Sequence, residues 1–363
     1  DTIIASLPGE FLTSSFYPTV ADSDALILNT VLTNSPLLMY NSDFERIPVL
    51  AESWESSDDG LSYTFHLRDA TFHNGDPVTP EDVKWTYEFL NEKYHEGTYA
   101  HTRMPESMTV EVVDDSTVRF NTDEPQPTLI TSQLPAFGVL PRDPYLDAGI
   151  EDNPVDFDDP MIGAGPFSIE SYRNQESIEL EPHDGHPVWE PSDSIIALTF
   201  DSVDSTVRAL QEGEINLGTA LTPEAGQRLE ESMDNVQVIS GVAHVCYGLF
   251  PQMSFGPCKF HEFREALGYM LDREAINETY ALGTSEPITH ATFQSKYHPW
   301  TNLDVLTECG TAGRDVEQAR TLLEEAGWGW DDNGNLHYPP GAELEAWPQG
   351  EGPSPEEYPC LEG

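Results

Sequence analysis

Eleven histidines, four cysteines and 65 aspartates and glutamates are the chemical stock of this 363-residue chain. Metal binding, thiol chemistry and acid–base hydrolysis are therefore the reactions to consider first. His66 and His73 flank a turn and can approach each other, while His183 and His186 lie three apart in a loop that also holds Pro187. A zinc hydrolase needs its histidines fixed on one helix face. A proline-bearing loop does not provide that, so both pairs read as strand and surface residues. Cys246, Cys258, Cys309 and Cys360 can form two disulfides in any of three connectivities, or stay as thiols. None makes C-x-x-C, and no G-x-S-x-G elbow, H-E-x-x-H helix or defensible Cys–His spacing occurs. Gly163-Ala164-Gly165-Pro166-Phe167 is glycine-rich, but a phosphate cradle must lead into a helix N-terminus. Pro166 and the alternating Phe167, Ile169 and Ser171 predict a strand instead, so the glycines mark closely crossing backbone. Asp331-Asp332-Asn333-Gly334-Asn335 opens like a calcium loop, but Pro340 stands where a liganding glutamate is sought; it reads as a polar turn. No catalytic residue, metal or cofactor is expected.

Charge narrows the partners. Sixteen basic against 65 acidic residues give a formal charge of -49. A nucleic-acid binder needs a basic face, which excludes that class. The chain is 38% hydrophobic with 10% aromatics, too apolar for an acidic disordered tail. Lys84, Lys93, Lys259 and Lys296 are its lysines. Such self-repulsion destabilises a compact state at low salt and is screened within about 3 Å in molar salt. The composition is that of a protein from a salt-saturated, haloarchaeal environment. The alternative is an acidic surface that attracts cations or basic peptides. No run of about 18 apolar residues occurs, and Asp1 reads as the start of a mature or trimmed chain.

The elements that would position any site have clear local signals. Asp1–Leu7 predicts a strand. Ala25–Leu38, with Leu28, Val31 and Leu32, predicts a helix ending before Pro36. Asp58-Asp59-Gly60 predicts a tight turn, because glycine supplies positive φ. Leu61–Arg68 alternates as a half-buried strand. Thr79, Pro80 and Asp82 make a capping box, with Val83, Tyr87, Leu90 and Tyr94 as the apolar stripe that follows. Val110–Phe120 predicts a hairpin around Asp114-Asp115, and Thr128–Leu134 a short helix. Asp147–Pro160 is an acidic linker. Strands are predicted over Ile178–Pro182, Ile195–Phe200, Val236–Ile239 and Ala243–Phe250. A helix from Val203-Asp204-Ser205 stops at Gly213, another starts at Thr222-Pro223, and a third runs from Asp315 to Gly327 with Val316, Ala319, Leu322 and Leu323 buried.

Several of these stretches together carry a family resemblance. Pro48–Arg68 (P-x-LAESWE…DG…YTFHLR) and Phe72–Val83 (FHNG-x-PVT-x-EDV) resemble the signature of the extracellular solute-binding proteins of family 5. These are the peptide-, dipeptide- and nickel-binding receptors of ABC importers. Ala209–Ile215 (ALQEGEI), Phe263–Ile276 (FREALGYMLDREAI) and Asp315–Trp328 (D-x-x-x-A-x-x-LL-x-x-AGW) are similar to further family segments. His183–Asp193 matches the family's aromatic loop, with His186 in place of Tyr or Phe. The similarity covers almost the whole chain, which holds roughly the first two-thirds of the family's fold.

The resemblance implies an α/β, type II periplasmic-binding-protein-like fold: two lobes plus an inserted subdomain, with mixed sheets flanked by helices. Residues 1–40 and 161–285 would form lobe I, 41–160 the inserted α/β subdomain, and 286–363 the start of lobe II. It implies a receptor outside the cell, associated with the membrane surface, that delivers a peptide-like solute to an ABC permease. A sugar or metal-chelate receptor is the alternative within the fold; a secreted metallohydrolase or a sensory module is the alternative outside it. In relatives, the stretches equivalent to Asp22, Ser23 and Asp24, Tyr99, Phe250, Pro251 and Gln252, and Ile288, Thr289 and His290 line the ligand cleft. Asp22–Asp24 equally suit the solvated cap of the next helix, and Pro251 replaces the family's asparagine. Phe263, Leu267, Met270 and Leu271 are the expected apolar face of their helix.

Overall fold

The ends of the elements are set by side chains that take up otherwise unpaired backbone groups. The computed structural model describes residues 2–8, 32–41, 45–93, 104–105, 107–151, 160–173, 176–219, 221–239, 249, 251–253, 256–280, 282–283 and 313–340. The chain divides into two compact units, Asp1–Val236 and Gln237–Gly363.

In the first unit, β1 (Thr2–Pro8) forms as expected. β2 (Leu38–Tyr40) and β3 (Arg46–Pro48) make a short antiparallel ribbon. β4 (Ala51–Ser56) and β5 (Ser62–Leu67) form a hairpin whose turn has Gly60 at φ 71°. Asp59 fastens that turn. Its Oδ1 accepts from the Ser57 hydroxyl (2.7 Å) and the Leu61 N–H (3.1 Å), which holds its carboxyl below the usual range. α1 (Pro80–Lys93) starts on the expected capping box: Asp82 N–H donates to Thr79 Oγ1 (3.4 Å) and Thr79 N–H donates to Asp82 Oδ2 (3.0 Å). Val83, Tyr87 and Leu90 are buried; Tyr94 lies outside the described residues.

β6 (Thr109–Asp114) and β7 (Thr117–Asn121) complete an antiparallel sheet of order β4-β5-β7-β6. Phe65 of β5 and Phe120 of β7 meet edge to face at 5.6 Å, and Phe120 meets Tyr87 of α1 in the same way at 5.2 Å. Burying each such ring contributes roughly 1.5–3 kcal/mol. The Tyr87 hydroxyl donates to the carbonyls of Leu134 (3.2 Å) and Phe137 (3.0 Å), and burial raises its pKa. The short helix expected over Thr128–Leu134 is instead a wide π turn, Leu129–Gln133, followed by a 3-10 turn, Leu134–Ala136. The Thr131 and Ser132 hydroxyls bond back to the Pro127 and Thr128 carbonyls (2.9 and 3.0 Å), and Pro135 has no N–H with which to continue an α ladder.

After α2 (Arg142–Asp147), β8 (Phe167–Arg173), β9 (Ser177–Pro182) and β10 (Ser194–Phe200) join the first strand in a sheet of order β1-β10-β9-β8. β1 runs parallel to β10, from Thr2 opposite Ser194 to Pro8 opposite Phe200, and the other pairs are antiparallel. The other edge of β1 is covered by Asn216–Thr219: Ile4 N–H donates to Asn216 Oδ1 (2.9 Å), Ser6 N–H to Leu217 O (2.9 Å) and the Thr219 hydroxyl to Ser6 O (2.7 Å). α3 (Val203–Glu212) is capped by Ser202, one residue earlier than expected, and stops at Gly213. α4 (Pro223–Ser232) is capped by Thr222. Val207, Leu210 and Leu229 are buried between them. Val236–Ile239, expected as a strand, pairs with no strand among the described residues, and Ile239 is 85% exposed. Its expected neighbour, Ala243–Phe250, lies almost wholly outside them.

In the second unit, α5 (His261–Met270) packs on α7 (Val316–Glu325) through the small residues Ala266 and Ala319. α6 (Arg273–Tyr280) lies between these two in sequence. Asp315 caps α7 by accepting from Gln318 N–H (2.9 Å). Met270 and Val316 are exposed, against the expected pattern, while Leu323 is buried and Phe263 stacks on Trp328 at 5.4 Å. β11 (Gly329–Trp330) and β12 (Leu336–His337) close a small hairpin. Cys258 is a free thiol; Cys246, Cys309 and Cys360 lie outside the described residues.

Candidate functional site

The expected cleft residues Asp22, Ser23, Asp24, Tyr99, Phe250, Ile288, Thr289 and His290 lie outside the described residues. Pro251 and Gln252 are in an irregular stretch of the second unit, Pro251 half-buried and Gln252 exposed.

The polar centre that the first unit does assemble is made of histidines from two distant stretches. His73 follows β5 in the turn Phe72–Asp76. Its Nδ1 accepts from Gly163 N–H (3.2 Å). The proton is therefore on Nε2, which donates to the Gly165 carbonyl (3.2 Å). His186 follows β9, and its Nδ1 accepts from the N–H groups of Val188 (3.2 Å) and Trp189 (2.9 Å). Its Nε2–H then points at Ser35 Oγ (3.0 Å). His183 Nε2–H donates to the Thr71 carbonyl (2.9 Å). The His73 and His183 rings meet edge to face at 4.9 Å, and His186 stacks on Trp189 at 4.9 Å. Burial lowers His73 and His186 to about 4 each; the neighbouring His183 pushes both in the same direction, while the bond to Gly165 opposes the shift for His73.

These rings hold a backbone crossing. Gly165 N–H donates to Thr33 O (3.0 Å), and His73 N–H to Gly163 O (2.9 Å). A Cβ at Gly163 would overlap the Thr33 carbonyl oxygen and Asn34 Oδ1; one at Gly165 would overlap the Leu32 carbonyl oxygen. That is why the run is glycine-rich, and a strand follows it as expected. Beside His186 is an open cavity of about 500 Å³, lined in part by Arg68, Asp69, Asp115 and Asp184. The Nδ1 lone pairs of His73 and His186, which a metal would need, are already engaged by N–H donors. No group of His, Cys, Asp or Glu among the described residues has the geometry to hold a metal. The Asp331 loop is closed on itself. Asp331 accepts from the Asn335 side chain (2.8 Å) and from the N–H groups of Asn335 (2.8 Å) and Asn333 (2.9 Å), which holds its carboxyl far below the usual range.

Residues 45–357 match the model of the bacterial extracellular solute-binding proteins, family 5. The chain belongs to this family. It is 29% identical over 328 residues to heme-binding protein A of Haemophilus influenzae, an alignment that covers 83% of this chain and 56% of that protein. It is 27% identical over 307 residues to the dipeptide-binding protein of Escherichia coli, covering 78% and 55%. The chain thus spans little more than half the length of these curated relatives. Among solved structures, the oligopeptide-binding protein AppA of Bacillus subtilis in complex with a nonapeptide superposes with a TM-score of 0.73 at 22% identity, covering 92% of this chain and 65% of that one. NikZ of Campylobacter jejuni with Ni(L-His) gives 0.72 at 21% identity, covering 93% and 65%. The fold is accordingly the α/β type II fold of periplasmic binding proteins. Family 5 members are extracellular binding proteins, and no helix among the described residues is long and apolar enough to cross a membrane.

Proposed function

We propose that this family 5 protein is the substrate-binding receptor of an ABC importer, capturing a peptide-like solute by closure of two lobes and passing it to a permease at the cell surface. The match of the family model over residues 45–357 carries this reading. Hinge closure around a solute is the general working cycle of such proteins. In this proposal, 1–40 and 161–285 build lobe I, 41–160 is the inserted subdomain and 286–363 begins lobe II. The pairing of β1 with β10 supports grouping the first two of these segments. Asp22–Asp24, Tyr99, Phe250–Gln252 and Ile288–His290 are the proposed cleft. Tyr99 and Phe250 would offer flat apolar surface suited to varied side chains, and Gln252 both a donor and an acceptor. His290 would change charge near neutral pH.

A metal chelate is the second reading. Two similar structures hold Ni(L-His) and Fe(III)-EDTA. Mass spectrometry of the small molecules that co-purify with the protein from cells grown and lysed in molar salt separates the two. Peptides in stoichiometric amount support the first reading, a metal complex supports the second, and neither solute leaves the receptor reading without its ligand and counts against it.

A further inference from the structure

We propose that His73 and His186 form an acid-released latch: when their Nδ1 atoms take up protons, Gly163 comes free of the His73 ring and the Val188–Trp189 backbone comes free of the His186 ring, while both sheets stay folded. The latch follows from the geometry and does not depend on the importer reading.

Each ring ties together segments that belong to different elements. His73, after β5, holds Gly163 and Gly165, which lead into β8. His183 and His186, after β9, hold Thr71 and Ser35. The His73 turn follows β5 of the β4-β5-β7-β6 sheet, whereas Gly163–Pro166 and the His183–Trp189 loop adjoin strands of the β1-β10-β9-β8 sheet. At the crossing Gly163 and Gly165 contribute no side chains, and hydrogen bonds hold their backbone beside the buried Ala164. In both His73 and His186 the acceptor nitrogen faces backbone N–H groups. A proton added there removes the acceptor and sets N–H against N–H. A charge on His73 also faces the His183 ring at 4.9 Å.

Among the described residues no carboxylate is placed to offset that charge. Thr33–Ser35 and Gly163–Pro166 contain no titratable group. The acids of the surrounding elements are Asp76 on the His73 turn, Asp184 and Glu190 on the His183 loop, Asp69 after β5 and Asp115 at the β6–β7 turn. Arg68 adds a further positive charge beside the cavity. Asp76 is bonded to Asn74, and Asp69, Asp115, Asp184 and Glu190 are exposed to solvent. Among the described residues none of the three rings forms an ion pair with a carboxylate.

The test is amide hydrogen exchange followed by NMR on the whole protein in molar salt, from about pH 7 down to about pH 4.5, with intrinsic exchange rates corrected. Gly163, Val188 and Trp189, whose N–H groups donate to the rings, should lose protection by up to about tenfold per pH unit for each ring that takes up a proton. Phe65 and Ile178, in the two sheets, should keep theirs. Ring nitrogen shifts at neutral pH should show His73 and His186 protonated on Nε2. Retained protection at the three amides, their loss only together with Phe65 and Ile178, or an Nδ1-protonated ring would each overturn the latch. His73→Asn, which keeps a neutral acceptor near the Nδ1 position, should remove the step at Gly163; if that variant does not fold, the wild-type exchange pattern and ring tautomers decide.

Discussion

Replacing Gly163 by alanine puts one methyl group where the chain has no room for it. The new Cβ overlaps the Thr33 carbonyl oxygen and Asn34 Oδ1 and lies 2.9 Å from Asn34 Cγ. Two of these atoms belong to a side chain that could turn, but the carbonyl is backbone and is held by its bond from Gly165 N–H at 3.0 Å. The crossing must therefore move. Overpacking of this kind costs typically 1–3 kcal/mol. Displacing Gly163 also breaks the His73 pair, Gly163 N–H to Nδ1 and His73 N–H to Gly163 O, each worth about 0.5–1.5 kcal/mol. The expected loss is roughly 2–6 kcal/mol. Urea unfolding at constant molar salt, followed by tryptophan fluorescence, reads it as a lower midpoint at unchanged slope. Gly329→Ala is the control, because nothing lies within 4 Å of its Cβ position and its φ is not positive; its change should be within about 0.5 kcal/mol. If Gly163→Ala were as mild as the control, the close crossing and the bracing around it would be wrong.

Other outcomes follow from the same structure. Tyr87→Phe should cost about 1–3 kcal/mol by urea unfolding, because the carbonyls of Leu134 and Phe137 lose a buried donor. His73 and His186, lowered to about 4 from an ordinary 6.5, bind fewer protons folded than unfolded between those values. Their contribution is fully present above pH 6.5 and is lost as pH falls through 4, so the slope should reach up to about 1.4 kcal/mol per pH unit for each ring, less for any solvent access. Thermal melts across that window should flatten in His73→Asn. The -49 formal charge predicts a melting temperature that rises steeply from about 0.1 to about 3 M KCl; an unchanged value would remove the halophilic reading.

The local elements were legible because their signals are local. The capping box at Thr79 and Asp82, the Gly60 turn and the β6–β7 hairpin depend on residues within a few positions of each other, and each forms as expected. Met270 and Val316 were misjudged because their burial depends on how closely two helices approach. Ala266 and Ala319, in the buried cluster between those helices, are about fifty residues apart in the chain. The histidine cluster was illegible for the same reason. Sequence order puts His66 nearest to His73 among the histidines, whereas the ring partners of His73 are Gly163, Gly165 and His183. His66 instead bonds Thr117 across the sheet (3.2 Å). One signal pointed to the cluster: His186 replaces an aromatic of the family's loop, and an imidazole can keep such a buried place when both ring nitrogens find partners.

Calorimetric titration of the protein in molar salt with di-, tri- and oligopeptides, with Ni(L-His) alongside, tests the receptor reading most directly. The account predicts saturable one-to-one binding of peptide, with the peptide recovered uncleaved. Peptide hydrolysis that a chelator abolishes, or no saturable binding of peptide or chelate, would contradict it.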